Sequence, residues 1–203
     1  MLPAMDARLE ALLDQLHQEG LAFDAAKADR LERRRNLKPD SARLLHLLAL
    51  ATGARRLLEL GSSNGYSTVW LGAALAADEG EMVSVDLDPG RLEEARANVA
   101  AAGLEATVEL RLEDAAAALA GSPDSSWDMV FLDAERSEYP AYWADLVRVL
   151  RPGGLLAVDN VLSHADEVAD LRTLITADRR VEEALVPTGL GILLVTRLPR
   201  PAG

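Results

Sequence analysis

The chain has 203 residues, of which 49% are hydrophobic, and this amount of apolar side chain is enough to bury the core of one domain. Its net charge of −12 would repel a nucleic-acid backbone, and the absence of cysteine excludes disulfides, zinc–thiolate sites and a thiol nucleophile. The acidic opening does not resemble a signal peptide, and no apolar run reaches membrane-spanning length. We therefore expect a cytoplasmic protein with no nucleic-acid or membrane partner.

Two helices are predicted before the first strand. Apolar residues at helical spacing from Met5 to about Glu19 indicate the first, with Gly20 as its end, and the second runs from Ser41 to Ala51. A basic stretch lies between them, and we interpret it as a solvated helix face paired with nearby acids. The alternative is a rim that attracts anions. The basic residues are Lys27, Arg30, Arg33, Arg34, Arg35 and Lys38.

From Arg55 onward, apolar strands alternate with helical patterns, which is typical of βαβ units and a parallel sheet. The predicted strands cover 56–60, 81–86, 106–111, 127–133, 155–159, 181–187 and 191–197, and the predicted helices cover 64–77, 89–102, 114–120, 139–150 and 164–177. Only Pro187 to Gly191 separates the last two strands, so we expect them to form an antiparallel hairpin. The prediction is one α/β domain over 1–203, with a Rossmann-like core at 54–203 and a helical extension at 1–53.

The stretch 57–72, LLELGSSNGYSTVWLG, predicts a strand, a glycine-containing turn and a helix N-terminus, which together offer free backbone N–H groups to a ligand. Gly61 and Gly65 lack the middle glycine of a dinucleotide fingerprint. Asp86 ends the second strand, where it is placed to accept hydrogen bonds from ribose hydroxyls. Asp88 already supplies a helix cap, so Asp86 is not needed for that role.

Glu59 lies at the carboxyl end of the first strand, where it would repel a pyrophosphate and suit a ligand with an ammonium or sulfonium group. S-adenosylmethionine carries both cations and a ribose, and it has no phosphate. The alternative is a glutamate held by backbone amides of the loop. Asp114 is either the N-cap of the helix after the third strand or a partner for adenine, and one residue can do both.

Polar side chains also end two later strands. Asp133 ends the fourth predicted strand, and Asp159 and Asn160 end the fifth. Neighbouring parallel strands lie about 4.8 Å apart, so we expect these side chains to converge at the carboxyl edge of the sheet. Two carboxylates and an amide oxygen suit Mg²⁺, Mn²⁺ or Ca²⁺. The alternative is an Asx-turn at Asp159 and Asn160, with Asp133 paired to an arginine.

Taken together, these segments resemble class I S-adenosylmethionine-dependent methyltransferases, and more narrowly the metal-dependent catechol and caffeoyl-CoA O-methyltransferases. LELGSSNGYSTVWL resembles the first cofactor motif, VSVDLDP the ribose-binding strand, FLDAERSEY the metal and catalytic segment, and RPGGLLAVDNVLSH the second metal segment. The resemblance covers the chain from about Asn36 to the last strand. It implies a Rossmann-like class I methyltransferase sandwich with added N-terminal helices. The sheet of this fold has seven strands, is mostly parallel and ends in an antiparallel hairpin.

The resemblance also implies an activity and a site. The activity is transfer of a methyl group from S-adenosylmethionine to a hydroxyl of a small catechol-type acceptor, assisted by a divalent metal, in a homodimer. The implied cofactor-binding residues are Glu59, Gly61, Ser62, Gly65, Ser67, Asp86, Asp114 and Asp133, and the implied metal ligands are Asp133, Asp159 and Asn160.

The chain departs from the family pattern at Arg136, where the family typically has a lysine credited with deprotonating the acceptor hydroxyl. A guanidinium stays protonated in proteins, so Arg136 is a poor general base. We prefer the hypothesis that the metal acidifies the hydroxyl while Arg136 stabilises the oxyanion.

Other interpretations stay open at this point. One is that His164 takes the hydroxyl proton, although a histidine in that position is more often a cap or surface residue. Another is that the chain binds the cofactor without catalysing the family's reaction. A nicotinamide-dependent oxidoreductase is a further alternative, which Glu59 and the missing glycine disfavour.

Overall fold

The computed structural model describes residues 5–29 and 33–199. Two helices come first, α1 (Ala7–Ala25) and α2 (Pro39–Ala51). The chain then alternates through β1 (Arg56–Leu60), α3 (Tyr66–Ala76), β2 (Glu81–Asp86), α4 (Pro89–Ala102), β3 (Val108–Leu112), α5 (Ala115–Gly121) and β4 (Trp127–Leu132). A 3₁₀ turn (Arg136–Glu138) leads into α6 (Tyr139–Val149), followed by β5 (Leu150–Val158), α7 (Ala169–Ala177), β6 (Val181–Val186) and β7 (Ile192–Arg197).

The strands form one seven-stranded sheet in the order β3-β2-β1-β4-β5-β7-β6. Strands β1 to β5 run parallel to one another, and β7 runs antiparallel to both β5 and β6. The structure therefore confirms the predicted mostly parallel sheet with an antiparallel terminal hairpin. The strand order reverses between β1 and β4, and doubly wound sheets bind ligands at the carboxyl ends of the strands at such a reversal.

Apolar side chains on both faces of the sheet make the core, because alternate strand residues point to opposite faces. Leu57 packs with α1 to α4 on one face, whereas Leu58 packs with α5 to α7 on the other. Tyr139, Tyr142 and Trp143 are buried in α6. Of the described helices, none is both long enough and apolar enough to cross a bilayer.

The first helix is longer than predicted, because α1 continues through Gly20 to Ala25. Gly20 does not end the helix; it allows a close approach instead. The amide of Asn36 occupies the space that a Cβ at Gly20 would need, and its Nδ2 donates to the carbonyl oxygen of Leu16 at 3.2 Å. The missing side chain at Gly20 therefore lets the segment before α2 pack on α1.

The described residues of the basic stretch, 27–29 and 33–38, do not form a helix face, which corrects the preferred interpretation for them. Residues 33–38 form an irregular segment, named here the basic loop, and Arg30 lies outside the described residues. The carboxylate of Asp24 accepts hydrogen bonds from the backbone N–H groups of Arg34 at 2.7 Å and Arg35 at 3.0 Å. These bonds use the backbone groups that a helix would have paired internally.

Strand β5 begins earlier than predicted, at Leu150 rather than at 155. Trp127 pairs with Leu150 before the register shifts, and Met129 then pairs with Leu155. The added residues of β5 include the turn-forming sequence RPGG, which hid the start of the strand.

Helix α7 begins later than predicted, at Ala169 rather than at 164. Residues 161–168 form turns instead, and they are tied to the segment that leads into β7. Val161 N donates to Gly191 O at 3.1 Å, and Leu162 N donates to Leu190 O at 3.0 Å. These contacts hold the chain after β5 out of a helical path.

Candidate active site

A cavity of about 510 Å³ opens at the carboxyl ends of β1, β2, β4 and β5, which is a size typical of small-ligand sites. It brings together most of the residues predicted from the sequence. Those that line it are Gly61, Ser62, Ser67, Asp86, Asp114, Asp133, Arg136, Asp159, Asn160 and His164. Of the predicted residues, all of which the structure describes, only Glu59 and Gly65 do not line the cavity.

The loop after β1 passes close to the end of β4. Gly61 has a φ of 105°, and a Cβ there would collide with the backbone carbonyl of Asp133, so only glycine fits. Gly65 is the N-cap of α3. The loop is thus held against the end of β4, and Gly61, Ser62, Ser63 and Asn64 line the cavity.

Glu59 is fully buried, and side-chain hydroxyls rather than loop amides hold its carboxylate. Ser67 Oγ donates to Oε1 at 2.6 Å, and Thr68 Oγ1 and Ser84 Oγ each donate to Oε2 at 2.5 Å. Burial raises the pKa of Glu59, and the three hydrogen bonds lower it in part. Because Ser67 also lines the cavity, it connects the buried acid to the ligand space.

Asp86 is held by backbone N–H groups, and Asp88 caps α4, as predicted. Asp86 Oδ2 accepts from Ser63 N at 2.8 Å, and Oδ1 accepts from Asp88 N at 2.9 Å. Asp88 Oδ1 accepts from Gly90 N at 2.8 Å and from Arg91 N at 3.1 Å. A carboxylate has about four acceptor sites, so Asp86 keeps acceptor capacity for hydroxyl groups in the cavity.

Asp114 is the N-cap of α5. Its Oδ1 accepts from Ala116 N at 2.9 Å and from Ala117 N at 3.2 Å. The same side chain lines the cavity, so the cap does not exclude a contact with a ligand.

Asp133, Asp159 and Asn160 converge at the ends of β4 and β5. Asn160 Nδ2 donates to Asp133 Oδ1 at 3.2 Å and to Asp159 Oδ2 at 2.9 Å. Asp159 is only 3% exposed, and its Oδ1 has no hydrogen-bond partner among the described residues. No described arginine forms an ion pair with Asp133, which was the predicted alternative.

This donor set fits a hard divalent cation. An unpaired, buried carboxylate oxygen is costly, and a cation would satisfy it. Rotation of the Asn160 amide would present its oxygen beside the two carboxylates. Across the described ranges, no cluster of three His, Cys, Asp or Glu side chains could hold a metal, so a site here depends on the amide as its third protein ligand.

The two carboxylates have shifted pKa values. Burial raises the pKa of Asp133 well above its ordinary value, and the charge of Asp159 raises it further, whereas Arg35 and Arg136 lower it. Burial raises the pKa of Asp159 to about 6, whereas a hydrogen bond from the backbone N–H of Asn160 and the charges of Arg136 and Lys38 lower it. A bound cation would favour the ionised form of both acids.

Arg136 is 5% exposed, and its Nε donates to Glu167 Oε2 at 2.6 Å. Sequence reasoning missed Glu167, because nothing in the pattern indicates that the turns after β5 fold back over the 3₁₀ turn. His164 N donates to Asn160 O at 3.0 Å, and its Nδ1 lies 2.8 Å from Ser163 Oγ. His164 therefore belongs to the turn beside the converging carboxylates and does not start a helix.

Comparisons with known proteins identify the family of the chain. The model of a family described as O-methyltransferase matches residues 9–198. A catechol O-methyltransferase from Mycobacterium tuberculosis is 35% identical over 188 residues, which cover 85% of this chain and 82% of that protein.

Solved structures also share the fold. The O-methyltransferase from Bacillus cereus in complex with SAH has a TM-score of 0.77 and 26% identity, covering 92% of this chain and 90% of that one. The O-methyltransferase TomG from Streptomyces achromogenes, solved with SAM, has a TM-score of 0.74 and 26% identity, covering 96% and 91%.

These matches favour neither a nicotinamide-dependent oxidoreductase nor a cofactor-binding protein without activity. They agree with the Rossmann-like sheet of seven strands that ends in an antiparallel hairpin. The chain belongs to the O-methyltransferase family and is an S-adenosylmethionine-dependent O-methyltransferase.

Proposed function

We propose that the chain methylates a hydroxyl of a small catechol-type acceptor with the help of a divalent metal. The observation that carries this proposal is the meeting of Asp133, Asp159 and Asn160 beside the cofactor loop, with Asp159 Oδ1 buried and unpaired among the described residues. The similarity to a catechol O-methyltransferase supports the acceptor class.

In this proposal the cofactor lies along the ends of β1, β2 and β3. Ser67 and the loop at Gly61 hold its methionine end, Asp86 accepts from the ribose hydroxyls, and Asp114 lies beside the adenine. Glu59 does not line the cavity, but its buried negative charge favours a sulfonium or ammonium group nearby. Ser62 and Gly65 shape the loop, since the Ser62 hydroxyl is 2.5 Å from Ser84 Oγ.

Asp133, Asp159 and Asn160 would hold the metal. When bound, a divalent cation supplies Lewis acidity that lowers the pKa of an acceptor hydroxyl. Arg136 is fixed by Glu167 and keeps its charge, so it would stabilise the negative charge that develops on the acceptor oxygen. The oxygen then attacks the methyl carbon in line, the carbon–sulfur bond breaks, and the hydroxyl proton leaves to solvent.

Turnover of catechol tests this proposal. The protein is incubated with S-adenosylmethionine and catechol, with MgCl₂ or with EDTA, and the product is detected by the mass gain of one methyl group. We expect methylated product with Mg²⁺ and at least tenfold less product with EDTA, because the chelator removes the metal that acidifies the hydroxyl. Equal rates with and without chelator would contradict the metal, and inactivity on a panel of catechols would contradict the acceptor class.

We also propose a cytoplasmic homodimer. The lack of cysteine suits a reducing compartment, and the resemblance to the catechol and caffeoyl-CoA enzymes implies the dimer. Light scattering coupled to size exclusion measures the mass, and a single species at 21.8 kDa would exclude the homodimer.

A further inference from the structure

We infer that the acceptor carries a carboxylate as well as its hydroxyl groups, and that Arg35 and Lys38 of the basic loop recognise this carboxylate. The inference rests on the proposed function, because it concerns the acceptor end of the same cavity. It narrows the substrate class from catechols in general to catechols with one negative charge.

Arg35 and Lys38 lie where the acceptor would bind. Both line the cavity together with Asp133 and Asp159. This cavity lies at the carboxyl ends of β4 and β5, where the acceptor hydroxyl is proposed to bind.

The other two cations of the basic loop already have partners. Arg33 Nε and Nη2 donate to the carbonyl oxygen of Lys27 at 3.0 and 2.9 Å. Arg34 Nη2 lies 2.8 Å from Glu94 Oε2 and forms an ion pair with it. Among the described residues, no acidic side chain forms an ion pair with Arg35 or with Lys38, so these two charges are available to a ligand.

The backbone fixes the position of these charges. Both oxygens of Asp24 accept from the backbone of the basic loop, and Ser63 Oγ of the cofactor loop donates to Arg34 O at 3.1 Å. Arg35 has a φ of 54°, a conformation that is costly for a residue with a side chain and that persists only where the surroundings impose it. The loop is therefore held against the cavity, which reduces the entropy lost when a ligand binds.

Acids also lie in the wall near the basic loop: Asp24 accepts from its backbone N–H groups, and Asp133 and Asp159 end β4 and β5. The acceptor end thus carries two available cations beside carboxylates that a metal would neutralise. One anionic group fits this balance, whereas a polyanion would meet the field of a chain with a net charge of −12.

The experiment compares three acceptors that differ in charge: 3,4-dihydroxybenzoate, neutral catechol and cationic dopamine. We expect the native chain to have about tenfold higher kcat/KM for 3,4-dihydroxybenzoate than for catechol, as one charge-assisted contact would give. Arg35→Gln and Lys38→Met should each remove most of this preference, mainly through KM, so that the ratio of kcat/KM for 3,4-dihydroxybenzoate to kcat/KM for catechol falls towards one. Arg96→Gln removes the same charge as Arg35→Gln from an exposed face of α4 outside the cavity, and it should leave the preference unchanged.

A binding measurement separates the inference from the proposed function. Calorimetry with Mg²⁺ and S-adenosylhomocysteine present gives the dissociation constants of 3,4-dihydroxybenzoate and catechol without turnover. Selective loss of 3,4-dihydroxybenzoate binding in either folded variant supports the inference, even if no acceptor is methylated and the proposed function fails. Methylation of catechol with no preference for the carboxylate, or equal losses for both ligands, would overturn the inference and leave the proposed function standing.

Discussion

Ser84 lies beside Glu59 in the parallel register of β1 and β2, and its hydroxyl donates to Glu59 Oε2 at 2.5 Å. The serine interrupts an apolar strand at the one position that faces the buried acid. An uncompensated carboxylate at this depth would be costly, so Ser84 helps to keep Glu59 ionised next to the cofactor loop. The hydrogen bond from Ser84 therefore favours the ionised form of a carboxyl group whose pKa burial raises.

Replacing Ser84 by alanine should destabilise the protein by about 2 kcal/mol near neutral pH, because a buried carboxylate loses a hydrogen-bond donor. Urea unfolding measures the change. The loss should grow as pH rises through the raised pKa of Glu59 and shrink below it, because the donor stabilises the ionised form. Ser126→Ala is the control, since the Ser126 hydroxyl is buried without a partner among the described residues. Equal losses in the two variants would contradict the role of Ser84.

Replacing Asp86 by asparagine should weaken S-adenosylmethionine binding about tenfold, because one charged acceptor for the ribose hydroxyls is lost. Calorimetry measures the dissociation constant. Asp88→Asn is a matched control, because it removes the same charge two residues away from a side chain that does not line the cavity. Asparagine caps helices as well as aspartate does, so the N-terminus of α4 should be unaffected. The ribose assignment would be wrong if both variants bound the cofactor equally.

The affinity for a divalent cation should rise with pH through about 6, where Asp159 loses its proton, and keep rising while Asp133, whose pKa is also raised, does the same. The affinity increases with pH because the raised pKa leaves a proton on the folded protein, and the cation must displace this proton to bind. Without metal, the same shift means that stability falls as pH rises from the ordinary aspartate pKa to about 6.

Titration with Mn²⁺, followed by electron paramagnetic resonance, checks this dependence. Asp159→Asn should abolish most of the binding, whereas Asp170→Asn on the exposed side of α7 should not. A flat pH profile would show that Asp159 does not ligate the cation.

Replacing Arg136 by alanine should lower kcat by about tenfold or more, because a fixed positive charge next to the acceptor oxygen is lost. Arg136→Lys should instead give a rate that depends on pH in the alkaline range, since an amine can lose its proton and a guanidinium does not. An unchanged rate and pH profile in Arg136→Ala would remove Arg136 from the chemistry.

Replacing His164 by glutamine should leave kcat within about twofold, if the metal and Arg136 together suffice to ionise the hydroxyl. The side chain is already close to Ser163 Oγ at 2.8 Å. A large drop in kcat, with loss of the acidic limb of the pH profile, would instead assign the proton transfer to His164.

Most of the sheet could be predicted because each strand is a short apolar run followed by a polar residue or a turn. The same pattern located Asp86, Asp133 and Asp159, since parallel strands bring their carboxyl ends to one edge. Residues whose position in the site follows from the order of strands along the chain could therefore be predicted from the sequence.

The contacts that sequence reasoning missed join residues far apart in the chain. Arg136 meets Glu167 across 31 positions, and Asn36 reaches Leu16 across 20. The basic loop was predicted as a helix face because its charges suit a solvated helix, and the backbone bonds from Asp24 override that local preference. Propensity gives no information on such pairings, which depend on packing between α1, the cofactor loop and the turns after β5.

The hydrogen bonds from Val161 and Leu162 to the segment at Leu190 and Gly191 have a consequence for biosynthesis. Chains emerge from the ribosome in order, and a hairpin near the end can pair only after its last strand is released. The turns that carry His164 and Glu167 therefore lack their anchor until β7 has formed. These turns therefore take their final position only after the cofactor loop and its strands β1, β2 and β4, which come earlier in the chain, have been synthesised.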